Sequence, residues 1–232
     1  MRLPALSIGE AGLPVARWRP GLGGVRHAEI FAPGREACGA ALALSLALDG
    51  MRGEGNKPRD VLWVQDRVSM RLGGRPYRPG LPKPLQSRLI HVLAETCEDA
   101  LFALEEGVRC RDLCCVIGEL AGNPRALDFT ASRRLSLAAE KHGVPLYLVR
   151  LDAERDLSSA RMRWEVCSAP SPRPRWNADA PGMPTWRAEL FRARGYPPGT
   201  WILHDDGTRL AAAAPDHGDL AAAAGNRSLA AG

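Results

Sequence analysis

What the 232-residue chain has least of is lysine: Lys57, Lys83 and Lys141 are all it carries, and arginine supplies nearly all of its positive charge. Arginine in place of lysine is also what a GC-rich genome produces, so the net charge of +5 does not by itself assign an anionic partner. The six cysteines (Cys38, Cys97, Cys110, Cys114, Cys115 and Cys167) form no C-x-x-C pair and have no histidine at zinc-finger spacing. His27, His91, His142, His204 and His217 are scattered, again without metal-ligand spacing. These absences predict no metal and a reduced, cytoplasmic protein, with Cys114 and Cys115 as small buried hydrophobes. No apolar segment is long enough to cross a membrane, and the N-terminus lacks the apolar stretch of a signal peptide.

With 45% hydrophobic and 25% charged residues, the composition is that of a globular protein with one substantial core. Its organising stretch is 27–48. Residues 29–32 read as a buried strand and 40–48 as a helix of good helix formers. Between them, Gly34-Arg35-Glu36-Ala37-Cys38-Gly39 has the G-x-x-x-x-G spacing of a phosphate-binding loop. That spacing works because backbone N–H groups and a helix N-terminus face phosphate oxygens. In a working loop the next residues are Lys, for the terminal phosphates, and Ser or Thr, for magnesium. Here they are Ala40 and Ala41.

A charge-assisted hydrogen bond to phosphate is worth about 1.5–3 kcal/mol, so losing the lysine contact costs on the order of tenfold to a hundredfold in affinity. Phosphoryl transfer suffers more, because it depends on positioned cations and both holders are absent. Arg35 is the loop's own cation, but it stands before the helix and not on it. Gly34, Arg35, Gly39, Ala40 and Ala41 are therefore expected to form a vestigial loop that holds no cofactor, with weak binding of a nucleotide or phosphate as the alternative.

Residues 1–26, rich in Gly, Pro and Arg, read as a lead-in with a tight turn at 21–24. A second buried strand spans 61–64, a Gly- and Pro-crowded surface loop 73–84, and a third strand 89–92. Thr96 is placed to cap a helix over 98–108, where Ala100, Leu101, Leu104 and Val108 recur at helical spacing. The apolar run 113–117 suits a central strand buried on both faces. A helix over 130–142 ends at Gly143, and 144–149 supplies another strand. Strands alternating with helices predict an α/β fold over 27–150, with a mostly parallel sheet flanked by helices.

Beyond Arg150 the pattern changes. Residues 161–166 alternate like a strand, a Pro-rich region follows, and 185–194 fits a strand or a short helix. A hairpin over 201–211 turns at Asp205-Asp206-Gly207-Thr208. An antiparallel extension is thus predicted over 151–214, and a disordered tail over 215–232, which lack bulky apolar residues apart from Leu220 and Leu229. Residues 161–200 hold seven Arg against three acidic residues, a surplus of four, which makes this the basic partner-binding segment.

At this point the residues carry a resemblance. Leu6-Ser7-Ile8-Gly9, the turn at 21–24, the strand and loop at 29–34 and the order of elements over 89–120 resemble the ATPase core of a RecA recombinase. More specifically, Val61-Leu62-Trp63-Val64-Gln65-Asp66-Arg67, the runs 100–107 (ALFALEEG) and 131–140 (ASRRLSLAAE), Val116-Ile117-Gly118-Glu119-Leu120, Arg163-Trp164 and the run 186–195 (WRAELFRARG) resemble the ImuA family. The match spans roughly residues 5–210. The resemblance implies a RecA-like accessory factor of SOS-induced translesion synthesis and mutagenesis. Its partners would be ImuB, an inactive polymerase-like protein, the RecA recombinase and, indirectly, an error-prone DNA polymerase III alpha subunit. The alternative is a SulA-like cell-division inhibitor, which shares a degenerate RecA-like ancestry. Such proteins are usually shorter, and the Arg- and Trp-rich 161–200 segment argues for the accessory factor.

A RecA-type ATPase needs three groups that the chain replaces. The lysine and hydroxyl are Ala40 and Ala41. The acidic residue that activates water falls near Gln65, Asp66 and Arg67, with Arg67 as occupant; arginine stays protonated and cannot be a base. Asp66 takes that place if the register slips by one. Where a metal-binding aspartate would end the strand 113–117, Gly118 and then Glu119 stand. A non-catalytic binding protein is the expectation.

For contacts, Trp186 with Arg187, and Arg192 with Arg194, are the first candidates. On a regular strand Trp186, Arg192 and Arg194 would face the same way. In recombinases a basic pair in the corresponding strand crosses the filament interface, so these residues would line a partner face; a solvated basic edge is the alternative. Arg133 and Arg134 point in different directions on one helix. One is expected to pair with a carboxylate such as Glu119, and the other to be free for DNA phosphate. Trp63 and Trp164 are expected in the core, and Glu105 and Glu106 on a solvated helix face.

Overall fold

A computed structural model describes residues 17–213, apart from 23–24, 52–58, 175–176 and 178. The resemblance at 6–9, part of the turn at 21–24 and the tail expected from 215 lie outside the described residues. The strands are β1 (His27–Ala32), β2 (Asp60–Asp66), β3 (Leu89–Ala94), β4 (Leu113–Ala121), β5 (Leu146–Leu151), β6 (Met162–Ser168), β7 (Thr185–Ala193), β8 (Gly199–Asp205) and β9 (Leu210–Ala212). The helices are α1 (Cys38–Met51), α2 (Arg67–Gly73), α3 (Lys83–Gln86), α4 (Cys97–Arg109) and α5 (Phe129–His142).

All nine strands join one sheet, in the order β3-β2-β4-β5-β1-β6-β7-β8-β9. The first six positions pair in parallel and β7, β8 and β9 antiparallel. This is the α/β, mostly parallel sheet with an antiparallel C-terminal part that the pattern predicts. β6 pairs parallel to β1, so antiparallel pairing begins one strand later than the change of pattern at Arg150 suggests.

Alternation along each strand sorts two cores. Ala28, Ile30, Trp63, Ile117, Val149 and Trp164 meet Leu42 and Ala43 of α1 on one face. Leu62, Val116 and Leu148 meet Leu101 and Leu104 of α4 and Leu135 of α5 on the other. The α4 start is a capping box: Thr96 Oγ1 accepts from the Asp99 N–H at 3.1 Å, and the Asp99 carboxylate accepts from the Thr96 N–H at 3.2 Å. Gly143 closes α5 in the left-handed conformation, at φ 75°. The end of the lead-in docks too, with Trp18 edge-on to Trp164 at 4.6 Å and to Trp201 at 5.5 Å.

Two segments hold helix that the pattern does not predict. Residues 67–73 are helical because Asp66 caps them, accepting from the Ser69 N–H at 2.6 Å. Residues 73–84 are not wholly irregular: a 3-10 turn at Arg78–Gly80 and the start of α3 each use a proline in the first turn, where its missing N–H is not needed.

The connection 152–161 between β5 and β6 has no helix, yet it crosses buried charge. Glu29 of β1 is fully buried. It accepts from Arg163 Nε and from Ser158 Oγ, both at 2.7 Å, and Arg150 lies 3.9 Å away. Arg150 and Arg163 both reach on to Asp156, at 3.2 and 3.4 Å. Because Asp156 and Ser158 belong to the connection, the charge cluster fixes its path. Removing one partner of a buried pair strands the other charges. Glu29→Gln is therefore expected to destabilise the fold by about 3–5 kcal/mol in urea unfolding. A loss below about 1 kcal/mol would mean the cluster does not hold the connection.

Candidate functional site

In the loop that joins β1 to α1, the first glycine is engaged by a carboxylate from the β5–β6 connection. Gly34 donates its N–H to Asp152 Oδ1 at 2.8 Å, and a Cβ on Gly34 would fall 2.5 Å from the other carboxylate oxygen. Asp152 adopts φ 50°, a left-handed conformation that aspartate tolerates better than most residues, with its own N–H on the Ala32 carbonyl at 3.0 Å. Glu36 accepts from the Ser168 N–H at 2.9 Å, a bond that holds its carboxyl below the usual carboxylate range and ties the loop to β6. Burial pushes the Cys38 thiol up to about 12, so it is not a thiolate nucleophile.

Gly39 serves packing. A Cβ there would meet the Ala32 Cβ at 2.7 Å and Val149 Cγ1 at 2.8 Å, so glycine lets α1 lie close on β1 and β5. Ala40 and Ala41 pack against the same core, and Arg35 is exposed.

At the ends of β2 and β4, Glu119 is buried and accepts from Trp63 Nε1 at 2.6 Å. Burial pushes its carboxyl up to about 7, against the opposing hydrogen bonds from Trp63 and Gln65. Gln65 is itself fixed, donating to the Gly74 carbonyl at 3.0 Å and bonded to His91 Nε2 at 2.9 Å. Asp66 is spent on the α2 cap, and Arg67 pairs with Glu95 on the surface. Gly118 faces the other core, where a Cβ would meet Leu104 at 2.8 Å.

The candidate contact residues divide. Arg133 of α5 and Arg192 and Arg194 at the end of β7 line one groove of about 540 Å³, together with Arg161. Trp186 is not there. Arg163 pairs with Arg192 and Trp164 with Leu190, which leaves Phe191 as an extra residue. Such a bulge reverses the alternation beyond it. Trp186, Ala188 and Leu190 enter the core beside α1, and Trp186 is only 4% exposed. Arg187 lines a separate cavity of about 310 Å³ with Phe31, Asp152 and Arg155. Arg134 pairs with Glu105 at 3.3 Å and not with Glu119, which lies under the opposite face of the sheet. Glu105 is thus engaged, by Arg134 and Arg109, and Trp63 and Trp164 are in the core as expected.

No family model matches the chain. Two curated relatives do: Protein ImuA of Caulobacter vibrioides strain NA1000 / CB15N and Protein ImuA of strain ATCC 19089 / CIP 103742 / CB 15. Each is 32% identical, over 97% of this chain and 96% of its own length. The chain belongs to the ImuA family. The resemblance carried by the 61–67, 100–107, 131–140 and 186–195 stretches is borne out across nearly the whole sequence.

Glu29, Arg150, Asp152, Asp156 and Arg163, which fix the 152–161 connection beside the loop, are not among the expected site residues. The signal was a glutamate inside an otherwise apolar central strand, which needs a buried partner. Among the described residues no cluster of His, Cys, Asp and Glu could hold a metal, and no helix is long and apolar enough to cross a membrane.

Glu119 gives a testable pH signature. Its pKa is raised on folding from 4.5 to about 7, so the native state binds the extra proton and stability falls as pH rises through that window. Relative to Glu119→Gln, the natural protein should lose about 3 kcal/mol of unfolding free energy across it. His27, buried and lowered to about 3, opposes this in both proteins and cancels in the difference. Parallel curves for the two proteins would contradict the assignment.

Proposed function

We propose that this member of the ImuA family is a non-catalytic adaptor in damage-induced translesion synthesis and mutagenesis, built on a RecA-like core that no longer turns over nucleotide. The observation that carries the reading is the contact between the Asp152 carboxylate and the Gly34 N–H. A working loop offers such groups to phosphate; this one offers them to an internal anion, with Glu36 close by and alanine at both chemical positions. Lysine and the magnesium hydroxyl are missing in sequence, and the acids at the ends of β2 and β4 are occupied by a helix cap and an indole.

Family membership supports the place of the adaptor in the mutagenesis cassette. Its partners are an ImuB-like inactive polymerase and RecA directly, and the error-prone DNA polymerase III alpha subunit through them. The exposed arginines Arg133, Arg192 and Arg194 supply the contact face. Arginine is enriched at interface hot spots and suits such a face.

Deleting the chain should lower ultraviolet-induced mutation frequency with little change in survival, and the protein should capture the ImuB-like partner and RecA. Unchanged mutagenesis, with filamentous cells on overexpression, would instead favour the cell-division inhibitor.

A further inference from the structure

The groove beside α5 has a composition that points to its ligand. Phe129, Arg133 and Leu137 recur every four residues on α5 and form one stripe along its outer side. Phe129 is 48% and Leu137 52% exposed, while the inward stripe of Ala131, Leu135 and Ala139 is buried. Arg192 of β7 and Arg194 just beyond it line the same groove. Among the described residues, Arg133, Arg192 and Arg194 have no ion pair and no side-chain hydrogen bond, whereas Arg161 is held by Glu140 at 2.6 Å. In the cavity of about 310 Å³, by contrast, Arg155 is already paired with Glu165 and Glu189. The groove floor is firm, because Ser158 is tied to Glu29 and Ser159 donates to Ser136 at 2.7 Å.

Three guanidinium groups without an ion pair, beside two exposed apolar side chains, are matched by a ligand that brings both carboxylates and apolar groups. We propose that this groove binds an acidic polypeptide segment of a partner protein, with Phe or Leu side chains set among Asp and Glu. The inference rests on the adaptor reading and deepens it by naming the docking surface and its chemistry. The carboxylates meet the arginine forks, and the apolar side chains cover Phe129 and Leu137. Single-stranded nucleic acid fits less well. It needs several rings on which bases stack, and the groove offers only Phe129.

Fluorescence anisotropy on the full chain tests this with three probes at one salt concentration. They are a synthetic Glu- and Asp-rich peptide carrying Phe and Leu, the same peptide with Ala in their place, and oligothymidylate. The first should bind best. Arg133→Glu with Arg192→Glu should weaken it at least ~tenfold, and Phe129→Ser with Leu137→Ser by roughly fivefold. These positions are exposed, so the variants should keep the natural unfolding curve, which is measured alongside. Oligothymidylate binding with the same arginine dependence and no binding of peptide would overturn the inference in favour of nucleic acid. Peptide binding that ignores the charge reversals would overturn it as well. If the variant with Arg133, Arg192 and Arg194 all replaced by Glu still captures the cassette partners at natural affinity, this groove is not the docking surface, while the adaptor reading stands.

Discussion

The fully buried Glu29 between Arg163 and Arg150 is the constraint on which the rest of the molecule depends. A carboxylate in the middle of a parallel sheet is costly unless it is paired and hydrogen-bonded. Here the pairing draws in Asp156 and Ser158, and so gives a helix-free connection one route from β5 to β6. That route sets Asp152 against the β1–α1 loop at one end. At the other it lays Ser158 to Arg161 along α5 as the floor of the basic groove. One buried ion cluster therefore shapes both the β1–α1 loop and the groove proposed as a docking surface.

The loop itself separates geometry from reaction. Its second glycine is required by packing, because α1 comes close enough to Ala32 and Val149 to exclude a Cβ. The G-x-x-x-x-G spacing thus has a packing reason of its own, whatever the loop binds. The lysine, the hydroxyl and the strand-end acids of a working site have their own positions here. Those positions hold Ala40 and Ala41, a helix cap at Asp66 and a carboxyl at Glu119 pushed toward neutrality by burial.

Much of the fold was legible from periodicity. The apolar run at β4, the Thr96 cap and the Gly143 stop are local signals, and each stands where the sequence places it. The parallel pairing of β6 with β1 was not legible, because alternation reports burial and not strand direction. Trp186 shows how one unpaired residue misleads: the bulge at Phe191 has no signature in composition, and it turns an expected contact into core. The groove was half legible. Arg133, Arg192 and Arg194 stand out as charge, but their meeting depends on sheet order and on the route of the 152–161 connection. The stripe of Phe129, Arg133 and Leu137 was not legible, because the helix starts one residue earlier than the expected 130, at Phe129.

The central claim is that the β1–α1 loop is a packing element and not a nucleotide site. Calorimetric titration of the full chain with magnesium ATP, with phosphate release followed in the same sample, tests it most directly. The account predicts no saturable heat and no turnover, for the natural chain and for Asp152→Ala alike, since removing the internal acid restores neither lysine nor metal ligand. Saturable binding with phosphate release by the natural chain would contradict it.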